Sequence, residues 1–161
     1  MSLISARVKA IIFDLDDTLY DCSGTLVLKR KKLAAKIISK AIKCSEAEAL
    51  KLQLELEDHL GPKADIAREI ASLHNLPEEF CKEITNAINT LDVEGAILFP
   101  DTMDSINELR SIGYKLFLVT FGNREMQKKK IKILGLERAF DEIVITENPR
   151  GKEKCFKEIL T

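Results

Sequence analysis

Asp14 and Asp16 stand two residues apart at the end of an apolar run, Val8 to Phe13, that is predicted to be a buried strand. Alternate side chains of an extended chain share one side, so the two carboxylates should face the same way. Like charges held that close repel unless a cation or a shared proton relieves them. A divalent cation with a phosphoryl group meets that condition. Unaided hydrolysis of a phosphate monoester is very slow, so a site for it must lower a large barrier. Covalent catalysis divides the barrier: a carboxylate takes the phosphoryl group and water then releases it. Asp14 is the candidate nucleophile. Asp16 is the candidate acid and base, protonating the leaving alcohol and later deprotonating water, for a gain of about 10²–10⁴-fold.

Such a site also needs a hydroxyl and an ammonium around the phosphoryl oxygens. Thr120, at the end of the short apolar run from Lys115, supplies the hydroxyl. Lys152 and Lys154 compete for the second role. Lys152 precedes Phe156 by four and Ile159 by seven, in phase with the apolar face of a last helix. Lys154 is in phase with Lys157 and Glu158, so Lys152 is the expected contact.

These residues need elements to hold them. Residues 14–23 read as a loop. From about Thr25 to Asn89 the apolar period is helical, through Leu33, Ile37, Ile38, Ala41 and Ile42. Ser45 with Glu48 is a capping box for a helix that Gly61-Pro62 stops. Ile66, Ile70 and Leu73 mark a third helix, and a fourth follows Pro77. Pro100 is expected to open a helix through Leu109, closed by Gly113. Lys115 to Thr120 is a strand; Asn123 caps a helix that Gly135 ends; Ile143 to Ile145 is a third strand; Glu153 to Leu160 is the last helix. The runs Lys29-Arg30-Lys31-Lys32 and Lys128-Lys129-Lys130 read as solvated helix faces.

This alternation implies an α/β fold, a Rossmann-like parallel sheet core with an inserted helical bundle. Ligands of such sheets bind beyond the carboxyl ends of the strands, where Asp14, Asp16, Thr120 and the loop before the last helix all fall. The expected division is a core of residues 1–21 and 98–161 and a helical insertion of 22–97.

The chain has 161 residues, 45% hydrophobic and 32% charged, with a net charge of -1. That is an ordinary globular balance, and it gives no field to recruit nucleic acid. No apolar run approaches the roughly 20 residues that span a bilayer. The N-terminus lacks a signal-peptide apolar region, so a cytoplasmic location is expected. Cys22, Cys44, Cys81 and Cys155 form no C-x-x-C pair and read as reduced thiols. With only His59 and His74 beside them, a zinc site is not expected.

Asp14-x-Asp16-x-Thr18, the strand-end Thr120 and the downstream Lys152 together resemble the haloacid dehalogenase-like hydrolase superfamily. The likeness extends to Phe99-Pro100-Asp101 through Gly113 to Thr120, and to Gly135-Leu136 through Phe140 to Ile145. The helical stretch after Tyr20-Asp21 stands where the family's α-helical cap is inserted after motif one. The resemblance implies that Asp14 is the nucleophile and Asp16 the acid and base. It implies Mg2+ held by the Asp14 carboxylate and the Asp16 main-chain carbonyl, with Thr120 and Lys152 on the phosphoryl group. Thr18, Phe121, Gly122 and Asn123 are the loop residues expected on the substrate side. An acid at position 16 implies a phosphatase or phosphotransferase rather than a dehalogenase. The expected substrate is a small phosphorylated metabolite, a nucleotide or sugar phosphate. A phosphomutase, and a catalytically impaired phosphate-binding module, are the alternative readings.

The sequence departs from the family pattern twice. Phe121 stands where members usually have Asn, with Asn123 two later. The chain reaches Thr161 before the family's fourth, acidic motif, so the C-terminal part of the core is expected to be missing. The first strand would then be a sheet edge open to self-association.

Overall fold

Parallel sheets are covered on both faces, which is why their strands read as continuous apolar runs rather than alternating ones. Strand β2, Lys115–Phe121, is such a run, with Leu116, Leu118 and Val119 fully buried. It pairs in parallel with β1, Ala10–Phe13, and with β3, Glu142–Thr146, in the order β1-β2-β3. Phe13 lies beside Leu118 and Thr120 beside Ile145, so the carboxyl ends of all three strands share one side of the sheet. The structure is a computed structural model that describes residues 9–61, 64–148 and 150–159. Val8, expected to start the first strand, lies outside the described residues. β1 is an edge of the described sheet, and all four of its residues are half-buried.

The chain divides into two compact units, residues 1–25 with 93–161, and residues 26–92. A short π-helical turn, Ser23–Val27, leads from the first into the second.

The second unit is all helical: α1, Leu28–Ile42; α2, Glu46–Leu60; α3, Ile66–Leu73; and α4, Glu78–Thr90. Its core joins the small Ala34, Ala35 and Ala49 to Ile38, Ile70, Phe80 and Ile84. The alanines let α1 and α2 pack closely. The capping box is present: Ser45 Oγ accepts from the Glu48 amide, and the Glu48 carboxylate accepts from the Ser45 amide. Gly61 closes α2 at φ +88, a conformation that favours glycine. Its expected companion Pro62 lies outside the described residues. Asp65, which the sequence reading overlooked, caps α3 through the Arg68 amide.

In the first unit α5, Thr102–Ser111, begins two residues after Pro100. The Thr102 hydroxyl donates to the Leu19 carbonyl, which also accepts from the Phe99 amide, so α5 is tied to the loop after β1. Helix α6, Arg124–Ile133, follows β2, and α7, Gly151–Ile159, packs on β2 and β3. None of the α7 residues is buried, and Phe156 is exposed, so the apolar face expected there is only partly covered.

Asp141 ties the start of β3 to β2. Its carboxylate accepts from the Leu116 amide at 2.8 Å and from Lys115 Nζ at 3.3 Å. The Leu116 hydrogen bond, aided by Lys115 and set slightly against burial, lowers its pKa from the ordinary carboxylate value. A group depressed on folding contributes stability above its unfolded pKa and loses it as pH falls through the folded value. The melting-temperature advantage of the wild type over Asp141→Asn should therefore hold at neutral pH and shrink below about pH 4. A difference that does not change with pH would refute the assignment.

Candidate active site

β1 ends at Phe13, and the next residues carry the two carboxylates into a loop. Asp14 is half-buried, its side chain 43% exposed, with Oδ1 accepting from the Leu15 amide at 2.8 Å. Its Oδ2 lies 2.6 Å from Lys152 Nζ. Lys152 stands in the first turn of α7, where the helix dipole favours anions, so a lysine there gains from an anionic partner in front of it. Gly151 makes this approach feasible: a Cβ on it would lie 1.7 Å from Thr146 Oγ1 at the end of β3. Lys154, by contrast, is 79% exposed and pairs within its own helix with Glu158. The structure thus brings Lys152, not Lys154, to Asp14.

Asp16 belongs to a second network. Both of its carboxylate oxygens accept from Lys130 Nζ, at 2.8 and 2.9 Å. The Tyr20 hydroxyl donates to Oδ1 at 2.5 Å, and the Gln127 amide Nε2 to Oδ2 at 3.3 Å. Burial disfavours the charge on Asp16, but the Lys130 ammonium and these donors together outweigh it and hold the carboxyl below its usual range. Tyr20 is fully buried; burial first, then its bonds to Asp16 and Cys22, push its hydroxyl upward, so it stays a donor. Tyr20 is placed by bridges to Asp16 and to Leu98.

Thr120 is buried at the end of β2, and its Oγ1 accepts from Gln127 Nε2 at 3.0 Å. The same amide donates to the Phe121 carbonyl at 2.8 Å, while Gln127 Oε1 is buried without a hydrogen-bond partner among the described residues. Gly122 permits this: its φ is +146, and a Cβ there would lie 3.0 Å from Gln127 Nε2. One amide therefore joins Asp16 to Thr120.

The remaining expected residues are placed less directly. Thr18 is exposed in a turn in which Asp17 has φ +55 and caps the Ser23 amide and hydroxyl. Phe121 is exposed. Asn123 Oδ1 accepts from the Met126 amide, so this oxygen caps α6 rather than pointing to a ligand. One expectation is corrected outright. The run Lys128-Lys129-Lys130 is not a uniformly solvated face: Lys130 is 1% exposed. Gln127, also buried, was overlooked altogether. The available signal was helical phase, since Gln127, Lys130, Ile131 and Leu134 recur at the spacing of one buried stripe.

A cation on one strand-end carboxylate, a second carboxylate two residues on, and a buried threonine at the end of the neighbouring strand agree with the comparison with known families. A family model described as haloacid dehalogenase-like hydrolase matches residues 8–161. The chain belongs to this family. A glyceraldehyde 3-phosphate phosphatase of Methanothermobacter thermautotrophicus is 34% identical over 152 residues, covering 91% of this chain and 66% of that protein. The N-acylneuraminate-9-phosphatase of Mus musculus is 28% identical, covering 87% of this chain and 62% of the other. The chain thus spans about two thirds of the length of these relatives. The crystal structure of a HAD phosphatase from Thermococcus onnurineus has the same fold, with a TM-score of 0.59 at 24% identity, covering 95% of this chain and 72% of that one.

Family membership implies a divalent cation. Among the described residues no cluster of three or more His, Cys, Asp or Glu side chains could hold one. Mg2+ does not require such a cluster, since it is commonly bound by one or two carboxylates with water and substrate phosphate. Asp14, half-exposed at the strand end, fits that donor set. The Asp16 carboxylate does not, because Lys130 engages both oxygens; Asp16 is left with its main-chain carbonyl. No described helix is long and apolar enough to cross a membrane.

Proposed function

We propose that the chain is a phosphatase that hydrolyses a small sugar phosphate through an aspartyl-phosphate on Asp14. The observation that carries this reading is the Lys152 ammonium 2.6 Å from Asp14 Oδ2, at the carboxyl end of a parallel strand. An ammonium so placed serves the nucleophile and the phosphoryl oxygens it attacks. The names of the relatives support a phosphomonoester, and that of the archaeal one a triose phosphate.

The Asp14 carboxylate and the Asp16 main-chain carbonyl would hold Mg2+, which would supply positive charge to offset the repulsion between nucleophile and substrate. Asp14 attacks phosphorus: a new P–O bond forms to its carboxylate, and the bond to the leaving alcohol breaks. The alcohol takes its proton from the protonated form of Asp16, a form that the pairing with Lys130 opposes. Water then attacks the acyl phosphate, gives its proton to Asp16, and the electron pair of the broken P–O bond returns to Asp14. Lys152 offsets the phosphoryl charge throughout. Thr120 donates its hydroxyl proton to a phosphoryl oxygen while its Oγ1 is fixed by Gln127.

The test is phosphate release from glyceraldehyde 3-phosphate and from 4-nitrophenyl phosphate, with Mg2+ and with chelator. Release that needs Mg2+ and favours the sugar phosphate is expected. Release unaffected by chelator would refute the metal assignment, and equal rates on both esters would refute the substrate class.

A further inference from the structure

Lys130 is 1% exposed, and the mechanism above does not use it. An ammonium buried in a protein loses its hydration, and replacing a buried ion pair by apolar groups is often neutral or stabilising. Position 130 shares its helix face with Ile131 and Leu134, where an apolar side chain would pack without that cost. The value of Lys130 must therefore lie in what it holds.

It holds Asp16 from both sides. Its Nζ sits astride the carboxylate, at 2.8 Å from one oxygen and 2.9 Å from the other. Tyr20 donates to the first oxygen and Gln127 to the second. Asp16 lies in a loop, its side chain 30% exposed, and would otherwise rotate about two side-chain bonds. Gln127 also binds Thr120 Oγ1, so the group that moves the proton and the hydroxyl on the phosphoryl group are registered by one helix.

We propose that Lys130 is a positioning residue for the proton-transfer carboxylate: with Gln127 and Tyr20 it fixes Asp16 relative to Thr120 and the bond being cleaved. The proposal rests on the reading of Asp16 as acid and base. It predicts an effect that depends on the leaving group. An alcohol that departs easily without a proton tolerates a misplaced Asp16; a poorer one does not. Misplacement by about 1 Å can cost 10²-fold.

The test compares wild type with Lys130→Met on 4-nitrophenyl phosphate and phenyl phosphate, under Mg2+. On phenyl phosphate kcat should fall about 100-fold with KM changed less than about threefold, and the loss on the nitrophenyl ester should be at least about tenfold smaller. Equal losses on both esters, or a loss carried by KM, would overturn the proposal, since a merely structural role weakens both reactions alike. A melting cycle needs no turnover. Asp16→Ala leaves Lys130 buried without its counter-charge and should lower the melting temperature by about 10 °C. Adding Lys130→Met to it should restore most of that loss. Additive shifts would show that Lys130 does not hold Asp16, and would sink the proposal whatever the activity. A wild type that hydrolyses neither ester counts against the phosphatase reading, and the cycle then decides the pairing alone.

Discussion

Asp14→Asn should reduce phosphate release by at least about 10⁴-fold while the chain stays folded. The amide is nearly the same size and keeps the oxygen that accepts from the Leu15 amide. It is a poor nucleophile, so the covalent step cannot begin. It also removes the partner of Lys152, but both groups are partly exposed, and a pair of this kind contributes only about 0–1 kcal/mol. For a chain of this length that is a shift of a few degrees in melting temperature, roughly 2–4 °C per kcal/mol. Thermal melting beside a phosphate assay checks both parts. Turnover close to wild type would remove Asp14 as the nucleophile. A chain that unfolds would show that the carboxylate is needed for structure, against its exposure.

Lys152→Ala should cost about 10²–10³-fold in kcat, the usual effect of removing one preorganised donor from developing oxyanion charge. Lys154→Ala should change activity less than about threefold, because its ammonium pairs with Glu158 on the solvent side of α7. The contrast matters more than either number. The two lysines are separated by a single residue, so a general loss of positive charge would affect both variants alike. Only the contact with Asp14 distinguishes them. Steady-state kinetics of the two variants decides the matter, and similar losses would refute the assignment.

The two networks have different physical characters. Asp14 and Lys152 are half-open groups at a strand end and a helix start, free to exchange each other for a phosphoryl group. Asp16, Lys130, Tyr20 and Gln127 are packed and mutually bonded. The donors around Asp16 fix its direction and favour its ionised form, whereas a nucleophile gains from access.

Much of this was legible before any fold was known. Apolar runs ending in Asp14 and in Thr120 define two strands, and residues at the carboxyl ends of parallel strands must converge. The Ser45–Glu48 box and Gly61 follow from local chemistry alone, since capping bonds join residues three or four apart. Lys152 was separable from Lys154 by helical phase, although α7 buries none of its residues. Asn123 was legible as a cap, and its Oδ1 is therefore turned to the helix.

Gln127 and Lys130 were harder to read. They carry polar letters in a helix rich in lysine, and only their phase with Ile131 and Leu134 sets Lys130 apart from Lys128 and Lys129. That Lys130 meets a carboxylate there depends on how α6 packs against β3 and against a loop more than a hundred residues earlier. The sequence alone determined the three strands, the Ser45 and Asn123 caps and the types of groups able to move a phosphoryl unit. The tertiary structure alone decided that a buried ammonium stands behind Asp16, because desolvation and ion pairing arise only when distant segments pack and exclude water between them.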